Sequence, residues 1–96
     1  MQQRTVTISN RLGLHARASA RLVRRATQYQ CAVELVREDT GATADGKSIL
    51  SVLLLAAARG TSLTIRAEGP DEERALCELV ELVERGFGEE VSDGVF

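Results

Sequence analysis

The stretch Thr61–Val83, TSLTIRAEGPDEERALCELVELV, carries two hydrophobic periods in succession. From Thr61 to Ala67 apolar and polar residues alternate, with Leu63, Ile65 and Ala67 on one side, as in a strand with one buried face. Gly69-Pro70-Asp71-Glu72-Glu73 then supplies a helix start. The proline sits near the first helical position, where its missing N–H costs nothing, and the acids lie beside the positive end of the helix dipole. Leu76, Leu79, Val80 and Val83 recur at helical spacing and form an inward face, which Gly86 and Gly88 terminate.

Towards the N-terminus the same two periods repeat. Leu50, Leu53, Leu54 and Ala57 fall at i, i+3, i+4, i+7, predicting a second helix with that face inward and Gly60 as its cap. Asp45-Gly46 separates it from a short edge strand, Ala42–Ala44. The turn Glu38-Asp39-Thr40-Gly41 joins that edge to a strand in which Cys31, Val33 and Leu35 alternate with Ala32, Glu34 and Val36. Ahead of it, a helix from about Ala16 to Gln28 shows Ala16, Ala20, Val23 and Ala26 on one face, with Leu22 beside it. Another face carries Arg17, Arg21, Arg24 and Gln28. Arg4–Ser9 alternates as a first strand with Val6 and Ile8 inward, and Asn10–His15, containing Gly13, is a loop. The order is β-α-β-β-α-β-α. It predicts an α+β open-faced β-sandwich, a four-stranded antiparallel sheet with three helices on one face and solvent on the other. One domain is expected over residues 1–88, with 89–96 as an acidic, frayed tail.

Composition narrows the function. The 96 residues have room for one domain, and 44% hydrophobic with 27% charged residues marks a globular chain. The longest apolar run, Val52–Ala58, is far too short to cross a membrane. The first twenty residues alternate in polarity and carry Arg4, Arg11 and Arg17, so no signal peptide is read and a cytoplasmic location is expected. Cys31 and Cys77, with a single histidine, fall short of the ligands a structural zinc site needs, and both thiols are expected in the core. No metal or cofactor is implied. Net charge is −2, yet residues 1–33 hold six arginines and no acid, whereas 68–96 hold ten acids against Arg74 and Arg85. One end offers a cationic surface suited to an acidic partner. The arginine stripe has no interleaved aromatics and no reading motif, which argues against nucleic acid.

His15 is the one side chain placed for acid–base or nucleophilic work. It follows a glycine-containing loop and precedes a helix, so it stands as N-cap beside unpaired amides that form an anion site. Arg17 lies two residues on, and no acid is near in sequence. An imidazolium is disfavoured next to Arg17 and a helix N-terminus, and a neutral ring is what attack on phosphorus requires. A phosphoryl group on the ring would gain ~0.3–1 kcal/mol from the dipole. A charge-assisted bond to Arg17 adds ~1.5–3 kcal/mol. Terms of this size steady the group without trapping it, which suits a carrier.

Gly13-Leu14-His15-Ala16-Arg17, with Gly46-Lys47-Ser48-Ile49-Leu50 further along, resembles the HPr family of histidine phosphocarriers of the phosphoenolpyruvate-dependent phosphotransferase system. The resemblance spans residues 4–88. It implies that His15 is phosphorylated on Nδ1 by enzyme I and passes the group to an EIIA-type acceptor of the sugar or nitrogen branch, with Arg17 steadying it. The family usually has proline where this chain has Ala18, which leaves the first helical turn less constrained. The resemblance makes Ser48 a regulatory phosphorylation site wherever an HPr kinase exists; as a bare sequence feature, Ser48 is equally a helix N-cap. It also implies docking through the first two helices, by Ala16, Ala20, Arg21 and Arg24 on one and Ile49, Leu50 and Leu53 on the other. The second helix is apolar almost all round and cannot bury every side chain, so an exposed patch rimmed by Arg17, Arg21 and Arg24 is expected. Family members are usually monomers, and no heptad seam argues otherwise. The competing reading is a regulatory interaction module of the same fold, controlled through Ser48 and transferring nothing.

Overall fold

A computed structural model describes residues 1–88; the expected acidic tail, 89–96, lies outside the described residues. The elements are β1 (Gln2–Thr7), α1 (Ala16–Ala26), β2 (Ala32–Arg37), β3 (Thr43–Asp45), α2 (Ile49–Leu55), β4 (Ser62–Glu68), α3 (Glu72–Glu84) and a 3₁₀ turn, Gly86–Gly88. The expected order and class hold. The strands form one antiparallel sheet in the order β1-β4-β2-β3. β4 pairs on both edges, setting Ile65 opposite Arg4 on one side and Leu35 on the other.

Register decides which face is dry. Val6, Val33, Leu35, Ala44, Leu63, Ile65 and Ala67 are all buried on the helix side, since side chains two apart share a face. The alternate positions build a polar lattice. Thr5 and Thr64 share a hydroxyl bond of 2.7 Å, and the Arg66 guanidinium reaches Gln3 at 3.0 Å and Glu34 at 3.2 Å. Such a face needs no cover.

α3 closes the far side with Ala75, Leu76, Leu79, Val80 and Val83, the face its spacing predicts plus Ala75. Pro70 stands one residue before the N-cap, Asp71. Asp71 does not cap its own helix; its carboxylate takes the amides of Gln30 and Cys31, each at 2.9 Å, tying α3 to the start of β2. Those amides hold the Asp71 carboxyl below the usual range. Gly69 stands at φ +146, and a Cβ there would meet Cys31 Cα at 2.7 Å, so close backbone approach requires the glycine.

Several expectations need correction. The inward face of α1 is Ala18, Ser19, Leu22, Val23 and Ala26; Ala16 is exposed, Ala20 only half-buried, and the helix stops at Ala26. α2 is turned the other way from its predicted stripe: Val52 and Leu55 are inward, whereas Leu50 and Leu54 are exposed and Leu53 is half-buried. The run Val52–Ala58 has no polar residue to mark a wet side, so spacing alone leaves the phase of α2 open. α2 ends not at Gly60 but at Ala56, in left-handed backbone (φ 53), and the Gly60 amide bonds to Ile8 C=O. Asp45 closes β3 instead of breaking it, pairing with Glu34. Cys31 is buried, but Cys77 is exposed on the outer side of α3. Among the described residues no helix is long and apolar enough to cross a membrane.

Candidate functional site

The loop before α1 is held by its own backbone. Asn10 Nδ2 donates to Gly13 C=O at 2.8 Å, and the Gly13 amide donates to Asn10 C=O at 3.2 Å. Gly13 stands at φ +63, and a Cβ on it would lie 2.5 Å from Ala57 O. Glycine is therefore required twice, for its torsion and for its contact. Leu14 is buried, and its amide bonds to Ala57 C=O at 2.9 Å. The buried Ser19 returns its hydroxyl to Leu14 C=O at 3.0 Å, and the His15 amide bonds to Gly13 C=O at 2.9 Å.

His15 then stands as N-cap of α1 with extended backbone, half-buried, and its Nδ1 accepts the Arg17 amide at 3.3 Å. A ring nitrogen accepts an N–H through its lone pair, so the contact turns Nδ1 towards the amides at the start of α1. The first turn of α1 holds no acid. Arg17, in that turn, is exposed.

The other expected residues fall into two groups. Arg21 and Arg24 are both exposed on α1, and Arg21 also donates through Nη1 to Phe87 C=O and so secures the 3₁₀ turn that follows α3. Arg25 pairs with Glu78 at 3.3 Å. Tyr29 also donates to Glu78, and this bond, with Arg74 and Arg25, lowers the Glu78 carboxyl. Ser48 caps α2, accepting the Ser51 amide at 3.2 Å. Its motif neighbours fasten the start of that helix. Lys47 Nζ donates to Tyr29 C=O at 2.7 Å, and Ser51 Oγ takes the Asp45 amide at 2.9 Å. Ile49, Leu50 and Leu54 are 47%, 66% and 75% exposed, an apolar surface on the outer side of α2. Leu12, in the histidine loop, is exposed too.

Sequence reasoning missed Asn10, Ser19 and Ala57, which fix the histidine loop, and Arg37, which donates to the carbonyls of Leu55 and Ala56. Ser19 carried a signal, being polar at helical spacing with the apolar face of α1; an asparagine in a loop and a backbone carbonyl such as that of Ala57 carry none.

Residues 2–85 match the family described as "PTS HPr component phosphorylation site". The chain is 45% identical over 89 residues to the phosphocarrier protein HPr of Cupriavidus necator, covering 93% of this chain and 98% of that one. It is 48% identical over 84 residues to HPr of Pseudomonas aeruginosa, covering 88% and 92%. The crystal structure of HPr-C-His from Thermoanaerobacter tengcongensis superimposes with a TM-score of 0.87 at 36% identity, covering 94% of this chain and 99% of that one.

Proposed function

The chain belongs to the HPr family of phosphocarriers of the phosphotransferase system, and from that premise we propose that it takes a phosphoryl group from enzyme I onto Nδ1 of His15 and gives it to an EIIA-type acceptor of the sugar or nitrogen branch. The observation that carries this reading is the acceptor state of Nδ1 at the mouth of α1. In the step, the Nδ1 lone pair forms the N–P bond while the bond from phosphorus to the donor breaks, its electron pair leaving with the donor. The proton on Nε2 stays. The 3.3 Å bond from the Arg17 amide is long and easily surrendered, after which that amide serves a phosphoryl oxygen. Arg17 supplies the mobile charge that steadies the group in each encounter. The chain works in the cytoplasm as a monomer, meeting partners through the exposed side of α2, with Ile49, Leu50 and Leu53, and the neighbouring part of α1, with Ala16, Ala20 and Arg24. Arg21, exposed on α1, belongs to the same surface and also holds the turn at Phe87.

Ser48 is proposed as a second, regulatory phosphorylation site for an HPr kinase. A phosphate there stays compatible with the helix dipole and acts by repelling an acidic partner. Incubation with phosphoenolpyruvate and enzyme I tests the main reading. Intact mass is expected to rise by one acid-labile phosphoryl group, and His15→Ala abolishes the gain. An interaction module that transfers nothing would show no gain in either protein.

A further inference from the structure

We propose that Arg37 is a positioning residue for the histidine site, acting through the C-terminal exit of α2; this rests on the carrier reading and adds a residue to it. The seven residues of α2 leave their last carbonyls without helical partners, and the chain departs through Ala56, a non-glycine residue at φ 53, ψ 36. Left-handed backbone crowds a Cβ, so this turn has to be held by its surroundings. Arg37, the last residue of β2, does so. Its Nη1 donates to Leu55 C=O at 3.0 Å and Ala56 C=O at 3.2 Å. Its Nε and Nη2 meet the two oxygens of Asp39 at 2.9 and 2.7 Å, which leaves the planar guanidinium one orientation. A cation at a helix C-terminus is also favoured by the dipole.

The turn so fixed presents Ala57. That residue is buried, its carbonyl accepts the Leu14 amide at 2.9 Å, and it lies where any side chain on Gly13 would have to be. Leu14 is in turn bonded to Ser19 of α1, and Gly13 C=O receives the His15 amide. Backbone contacts therefore run without a gap from the guanidinium through Leu55, Ala56 and Ala57 to Gly13, Leu14 and His15. Loosening the turn frees the carbonyl on which the histidine loop sits.

The test compares wild type, Arg37→Met, Arg37→Met with Ala56→Gly, and Arg37→Lys. It reads amide hydrogen exchange and the rate of charging by phosphoenolpyruvate at saturating enzyme I. In Arg37→Met the Leu14 amide is expected to exchange about tenfold faster while amides of β2 and β4 keep their protection. Charging at saturation slows about tenfold with the half-saturating concentration of enzyme I unchanged. Glycine accepts left-handed backbone freely, so Ala56→Gly restores most of both losses. Should Arg37→Met not fold, Arg37→Lys gives the same pattern at about threefold, because an ammonium cannot hold two carbonyls and a carboxylate in one plane. Unchanged Leu14 exchange, loss of protection in parallel across the sheet, no recovery with glycine, or unchanged charging overturns the proposal. A wild-type chain that takes up no phosphate overturns the carrier reading instead, and the exchange arm still decides whether Arg37 holds the loop.

Discussion

His15 and Arg17 share a short turn but are held differently. The His15 backbone is held by its bond to Gly13 C=O and its Nδ1 accepts the Arg17 amide, whereas the Arg17 side chain is exposed. Removing the guanidinium should therefore spare the fold and the attacking nitrogen, and cost only its stabilisation of the transferring group. Arg17→Ala is expected to melt at the wild-type temperature and to charge about ten- to a hundredfold more slowly, from a lost charge-assisted bond of ~1.5–3 kcal/mol. Single-turnover kinetics with phosphorylated enzyme I measure it. Arg24 and Arg21 differ in the same way. Arg24→Glu should weaken partner binding most at low salt, with the loss fading as ionic strength rises, as a titration at two salt concentrations would show. Arg21→Glu also removes the bond to Phe87 C=O and lowers stability at any salt.

At the scale of the element, α2 is where sequence and structure part. The run Val52–Ala58 is apolar at every position, so helical spacing fits a stripe through Leu50, Leu53 and Leu54 as well as one through Val52 and Leu55. In the fold the second faces inward, with Lys47 and Ser51 bonded to Tyr29 and Asp45 at one end and Leu55 to Arg37 at the other. Adjacent leucines should then behave oppositely under truncation. Leu55→Ala, buried, is expected to cost ~2–5 kcal/mol in denaturant unfolding. Leu54→Ala, three-quarters exposed, should fall within about 0.5 kcal/mol of wild type and instead weaken association with enzyme I. Variants of the cap test its structural part and the proposed regulation separately. Ser48→Ala should lose about 1 kcal/mol of stability, whereas Ser48→Asp keeps an N-cap acceptor. Charging by enzyme I should nevertheless slow about fivefold in Ser48→Asp, from roughly 1 kcal/mol of like-charge repulsion in a wet interface. A thermal melt and a charging assay on both variants check this.

Across the whole molecule, carboxylates join elements that the chain order keeps apart. Asp71 ties α3 to β2 through the amides of Gln30 and Cys31, Glu72 takes the Gly69 amide and meets the N-terminal amine, Glu78 joins α3 to Tyr29 and Arg25, and Asp39 orients Arg37. All four carboxyls are held below their usual range, the first two mainly by backbone amides, Glu78 by the Tyr29 hydroxyl and Asp39 by Arg37. A group whose value is lowered on folding binds fewer protons native than unfolded. Its contribution is complete above the unfolded value near 4, and disappears as pH falls through the native one. The melting temperature should accordingly stay level from neutral pH to about 5 and drop steeply below about 4. Asp71→Asn should lower the neutral plateau and shallow the acid drop, both measurable by calorimetry across a pH series.

Strand and helix order, the dry face of the sheet and the inward face of α3 were legible because each rests on a period repeated over several residues, and side-chain period and burial are the same fact in a sheet with one wet face. The N-cap position of His15 was legible because a glycine-containing loop gives way there to a helical period. Tertiary structure alone decided the phase of α2, the exposure of Cys77, the diversion of Arg21 to Phe87 and the seating of the histidine loop on Ala57. Each of these depends on a contact between residues far apart in the chain, often with a backbone carbonyl, and a carbonyl looks the same at every position of a sequence until the fold aims it.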